Sequence, residues 1–145
     1  MLKAFHKPYQ LQFKSPVLTS RGQMKVKNGH YLYITDGVNT GVGECSFIEG
    51  LSIDDLDNYG NALITLCKAI EAGNEEQFHD FSHFPSIAFG YECAMRDLKT
   101  GGRQVLFESD FTHGSKSIAI NGLVWMGEKE FMLQQIEQKL TDSFT

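Results

Sequence analysis

No run of apolar residues in this chain approaches the roughly 18 that a membrane-spanning helix needs. The opening Met1-Leu2-Lys3-Ala4-Phe5-His6-Lys7-Pro8 lacks the apolar stretch of a secretion signal. These two absences argue against a membrane partner and for a cytoplasmic setting. Cysteine is scarce and odd in number: Cys45, Cys67 and Cys93 form neither a C-x-x-C pair nor a disulfide framework. Buried structural thiols in a reducing compartment fit them. Positive charge is in deficit, with 13 Lys and Arg against 18 Asp and Glu and a net charge of −5. That balance disfavours nucleic acid or an anionic membrane surface as the main partner.

The usual chemical signatures are also missing. There is no G-x-S-x-G nucleophile elbow. Gly41-Val42-Gly43 begins like a dinucleotide loop, but Ser46 stands where the third glycine belongs, and a loop rather than a helix follows. His79 and His83 are four apart without a third ligand or an H-E-x-x-H pattern, so they read as two exposed histidines near a helix end rather than a zinc site.

What is present is an ordinary globular composition. The chain has 145 residues, 41% hydrophobic and 21% charged, enough for one domain with a real core. Eleven phenylalanines suggest a well-filled core or an aromatic-lined site. Phe5, Tyr9, Leu11 and Phe13 alternate with polar neighbours, which predicts a strand over 3–14, with Pro8 placing it at a sheet edge. Residues 15–23 read as a turn-rich loop. A β-branched and aromatic stretch predicts a strand over 30–35, and Asp36-Gly37 with Asn39-Thr40-Gly41 turns it into a third strand over 42–47. These make a three-stranded antiparallel sheet.

Helical spacing of Ile53, Leu56, Tyr59, Leu63, Leu66, Cys67 and Ile70 predicts a helix over 52–72, with Ser52 as cap, Asp54 and Asp55 in the first turn, and Gly73 as stop. A short helix over 74–80 and a longer one over 85–99 follow, the latter opened by Pro85 and stopped by Gly101-Gly102. Gly90 inside it marks a close approach of another element. Residues 117–126 are almost continuously apolar, as in a strand buried on both faces, and a helix over 128–140 comes next.

The most informative block is Gly41 to Ser52, a glycine-rich strand running into a short loop, with no nucleophile or metal cluster. It reads as the rim of a pocket whose chemistry is done elsewhere. Glu44 suits hydrogen bonding within the domain, whereas Glu49 lies in a loop from which a side chain can reach a ligand or simply water. Lys25 and Lys27 read as a solvated pair on a hairpin.

In order and spacing, Thr19-Ser20-Arg21-Gly22, Gly43-Glu44, Glu49-Gly50-Leu51-Ser52, the stretch 84–98 and the stretch 120–127 together resemble the enolase superfamily. The resemblance implies an α+β fold: an enolase-like N-terminal capping domain over 1–100, then a linker and the first β-strand and helix of a truncated TIM barrel over 101–145. It implies a magnesium-dependent lyase of menaquinone biosynthesis that dehydrates a cyclohexadiene carboxylate through an enediolate. A dipeptide epimerase or muconate cycloisomerase shares the cap, and a stand-alone binding module is the alternative outside enzymes. The family places its Lys-x-Lys pair and its metal ligands on later barrel strands. Lys25 and Lys27 have the right letters in the wrong domain, so no catalytic residue and no bound magnesium are expected in this chain, which is expected to be inactive alone. What it implies instead is a substrate-facing set: Ser20 and Arg21 on one loop, Phe47, Glu49 and Leu51 on the other, and Trp125 at the barrel mouth. Arg21 equally suits a surface ion pair, and Trp125 packing against the cap. A lone apolar strand after about Gly101 would also favour a homo-oligomer.

Overall fold

The computed structural model describes residues 1–19, 22–74 and 79–143. Three antiparallel strands, β1 (Lys3–Thr19), β2 (Gly22–Thr35) and β3 (Thr40–Ser46), pair in the order β1-β2-β3. Helix α1 (Tyr59–Ala72), a 3-10 turn (His79–Ser82), α2 (Pro85–Lys99) and α3 (Lys129–Ser143) follow. The expected α+β order therefore holds, and β1, which carries Pro8, is an edge strand. Most of the expected short helix over 74–80 falls outside the described residues.

The tight turn from β2 to β3 is built by Asp36, whose carboxylate accepts the amides of Val38 and Asn39 at 2.8 Å each. Gly37 supplies the positive φ of 94° that the turn requires. One face of the sheet buries Ala4, Leu32, Ile34 and Cys45 against Leu63, Leu66 and Ile70 of α1 and Ile87, Ala94 and Leu98 of α2. Helix α2 lies so close over β3 that only glycine fits between them. A Cβ on Gly41 would fall on the Ala94 carbonyl, one on Gly43 on the Gly90 carbonyl, and one on Gly90 on the Cys45 sulfur. Gly41-x-Gly43 is thus a packing device, and Gly90 marks the close approach expected of it.

Three expectations change. Helix α1 starts at Tyr59 rather than residue 52, because its supposed capping groups are used elsewhere. The Ser52 hydroxyl accepts the Ile48 amide at 2.9 Å, and buried Asp54 accepts the Ser86 amide and hydroxyl at 3.0 and 2.8 Å, in the first turn of α2. The loop expected over 15–23 is mostly strand. Pairing resumes at Val17↔Met24 after a register break between Gln12 and Val17, and the break accommodates Pro16, which has no amide to donate. Residues 117–126 carry no ladder, since no described strand lies beside them. Ile118 and Ile120 stay 65% and 87% exposed instead of buried. After Gly101 the chain runs through turns and bends to residue 116 and then without regular structure to α3, the one helix there among the described residues.

Candidate functional site

Strand β3 pairs with β2 only from Gly29 to Thr35. The outer part of β2 therefore keeps a free edge, and the chain leaving β3 folds back beside it. That return is a closed loop in which the amides of Leu51 and Ser52 both donate to the Ile48 carbonyl, at 3.0 and 2.9 Å. Between loop and edge lies a cavity of about 330 Å³, walled by Lys25, Lys27, Asn28, Phe47, Glu49 and Leu51 among others.

Phe47, Glu49, Asn28 and Lys27 each have a physical support. Phe47 meets Tyr59 edge-on at 4.8 Å, and Tyr59 in turn contacts Phe84 and His30. Tyr59 also shares a hydrogen bond of 2.5 Å with Ser86, and burial pushes its hydroxyl pKa up. Glu49 accepts from Asn28 at 2.9 Å, while Asn28 accepts from Gln10 at 2.9 Å, so a relay of amides aims the loop carboxylate. Lys27 pairs with Glu44 at 3.7 Å. Glu44 also accepts a hydrogen bond from the Tyr9 hydroxyl, which, ahead of Lys27, holds its carboxyl below the usual value. Burial, then Glu44, pushes the Tyr9 hydroxyl up to about 12. Glu44 thus has the internal role expected of it. Lys27 is more than a solvated hairpin residue: it is an ion-paired part of the wall.

Of the six residues expected to face a ligand, Phe47, Glu49 and Leu51 converge on this cavity. Ser20 and Arg21 lie outside the described residues. Trp125 sits on the β1 side of the hairpin: its ring tilts against Phe13 at 6.2 Å and its indole N–H donates to the Pro16 carbonyl at 3.4 Å. The sequence reading missed the β2 edge, from Gly22 to Asn28, as a cavity wall. The sequence placed that strand only over 30–35, so residues 22–28 did not read as an edge at all.

The wall mixes apolar surface with two lysines and one carboxylate, a combination suited to holding an organic anion rather than transforming it. Cys45 and Cys67 lie elsewhere, buried, with burial pushing Cys45 up to about 12 and Cys67 up to about 11, away from the thiolate form. Among the described residues, no group of three or more His, Cys, Asp or Glu side chains is arranged to hold a metal ion. These residues therefore do not fit the magnesium that the superfamily resemblance implies. No described helix is long and apolar enough to cross a membrane.

Comparison with known proteins bears on the family and the fold. The family described as MenC, N-terminal domain, matches residues 2–98. An o-succinylbenzoate synthase of Desulfotalea psychrophila is 36% identical over 92% of the chain and 45% of its own length. One from Aliivibrio fischeri is 31% identical over 63% of the chain and 28% of its own length. The crystal structure of MenC from Desulfotalea psychrophila superposes with a TM-score of 0.74 at 29% identity, covering 97% of this chain and 46% of that one. The chain thus spans less than half the length of each of these relatives.

Proposed function

The chain belongs to the MenC N-terminal domain family, and from that premise we propose that it is the substrate-specificity cap of an o-succinylbenzoate synthase. That enzyme is a magnesium-dependent, cytoplasmic lyase that dehydrates a cyclohexadiene carboxylate in menaquinone biosynthesis. Residues 1–100 form the cap. Residues 101–145 are a linker and the first strand and helix of a (β/α) barrel. The lysines that move protons and the carboxylates that hold magnesium belong, by resemblance, to later barrel strands.

The observation that carries this reading is the convergence of Phe47, Glu49 and Leu51 on one cavity that contains no catalytic constellation. A cap of this kind acts by binding and by excluding water. Phe47 and Leu51 cover the apolar ring of the substrate, and the polar part of the wall meets its carboxylates. By the same resemblance, Ser20 and Arg21 extend this contact. The names of the relatives favour this substrate over a dipeptide or a muconate.

A fusion of residues 1–145 to the remaining barrel of the Desulfotalea psychrophila relative tests the reading. The fusion is expected to form o-succinylbenzoate with magnesium, and the 145-residue chain alone to form none. Phe47→Ala and Leu51→Ala in the fusion are each expected to raise KM about tenfold with kcat within about twofold, the signature of lost uniform binding. Turnover by the chain alone, or variants with unchanged KM, would overturn it.

A further inference from the structure

We propose that Trp125 is a positioning residue, the strut that fixes the cavity's hairpin wall, and that it does not itself contact ligand. The β1–β2 ladder lapses at one place, between Gln12 and Val17 on β1. Opposite that lapse, between the pairs Gln12↔Val26 and Val17↔Met24, stands Lys25, in the cavity wall. An irregularity of this kind disrupts the ladder locally and bends the strand, so the wall has least ladder support where it faces the cavity.

Trp125 meets the hairpin from the β1 side at that same place. Its ring lies against Phe13, and its indole N–H reaches the carbonyl of Pro16, two residues that lie within the lapse. Trp125 is in turn held by one side chain. Its amide donates to the Gln135 side-chain oxygen at 2.7 Å, and the Gln135 side-chain nitrogen donates to its carbonyl at 2.9 Å. This two-way grip takes the place of a strand partner and ties the indole to α3. The same Gln135 nitrogen reaches the Phe131 carbonyl of its own helix at 3.3 Å. A continuous path therefore runs from α3 through Gln135, Trp125 and the hairpin lapse to the wall at Met24, Lys25 and Val26. The inference rests on the cavity being a ligand site only for its functional consequence, since the tether itself is ligand-independent.

Trp125 is the single tryptophan of the chain, so its fluorescence reports the strut directly. In the 145-residue chain, Phe13→Ala and Gln135→Ala are expected to raise acrylamide quenching of Trp125 about twofold. In the same variants, and in Trp125→Phe, amide exchange over residues 22–28 is expected to accelerate about tenfold, while exchange in α1 and α2 stays unchanged. Gln138→Ala, on the same helix but outside the path, is expected to change neither. In the barrel fusion, Trp125→Phe is expected to raise KM at constant kcat. Unchanged exchange over 22–28 would overturn the inference while leaving the effects of Phe47→Ala and Leu51→Ala on KM intact. Conversely, loss of those KM effects would remove the proposed function and leave the exchange result, and the strut, standing.

Discussion

The chain contains two regions that both carry many apolar side chains and meet opposite fates. Every buried core residue lies between Ala4 and Leu98. Beyond Leu98 no described residue is buried, although Ile118, Ile120, Leu123, Met126, Phe131, Leu133, Ile136 and Leu140 are all there. The difference that shows in the structure is one of partners. In the first region β2 has a strand on each side and two helices over one face, so each apolar side chain meets another. In the second, a stretch without strand partners and one helix meet the rest at a few points, through Gly102 and Gln104 on Asp97, Phe107 under Arg96, and Trp125 on Pro16. Burial of apolar surface needs two faces, and the second region presents one.

The most severe way to break the first region is to part α2 from β3. Gly43→Ala places a methyl group on the Gly90 carbonyl, and overpacking against backbone is expected to cost about 3 kcal/mol or more, read as a lower urea midpoint. Asp97 is next. It is fully buried and accepts the Val42 amide at 3.0 Å and the Gln104 amide at 2.5 Å, joining β3, α2 and the chain beyond. Asp97→Ala leaves two amides without their acceptor and is expected to cost about 2–3 kcal/mol in the same measurement.

Acid should act on the first region more mildly. His6 and His30 share a hydrogen bond of 3.1 Å between their Nδ1 atoms beside Tyr59. Burial lowers both pKa values below the usual 6.5, and for His30 the charge of His6 lowers it further. An unfolded histidine therefore takes a proton that the folded one resists. Their contribution is complete above 6.5 and is lost as pH falls below it towards the folded values. The urea midpoint should drop between about pH 7.5 and about pH 5.5, and His30→Asn should flatten that slope.

The second region sharpens the contrast by its indifference. Deleting residues 105–143 is expected to change the cap's stability by less than about 1 kcal/mol, since it removes no core residue. Light scattering should then lose any dimer formed through the exposed apolar run. Smallest of all, Leu51→Ala, at a side chain 57% exposed, is expected to stay within about 0.5 kcal/mol of the parent in stability even as it shifts KM in the fusion.

Legibility in the sequence followed locality. The alternation at Phe5, Tyr9, Leu11 and Phe13, the Asp36-Gly37 turn, and Pro85 and Gly101 around α2 are decided by neighbours in the chain, and each element stands where these residues put it. Ser52, Asp54 and Asp55 looked equally local, but Ser52 closes its own loop and Asp54 serves a helix about thirty residues away. The same three letters satisfy either arrangement, and only the proximity of Ser86 chooses. The cavity residues divide the same way. Phe47, Glu49 and Leu51 were visible as a loop without chemistry, but their opposite wall on β2 was not, because nothing in residues 22–28 records that β3 stops short of them.

By itself, then, the sequence determined the order of the three sheet strands, the span of α2 and the turn into β3, because those depend on period, on φ and on hydrogen bonds within a few residues. Tertiary structure alone decided that two glycines face a helix, that an aspartate caps a distant one, and that a tryptophan braces a hairpin. Those outcomes depend on which groups folding brings within about 3 Å of one another, and distance along the chain does not encode distance in space.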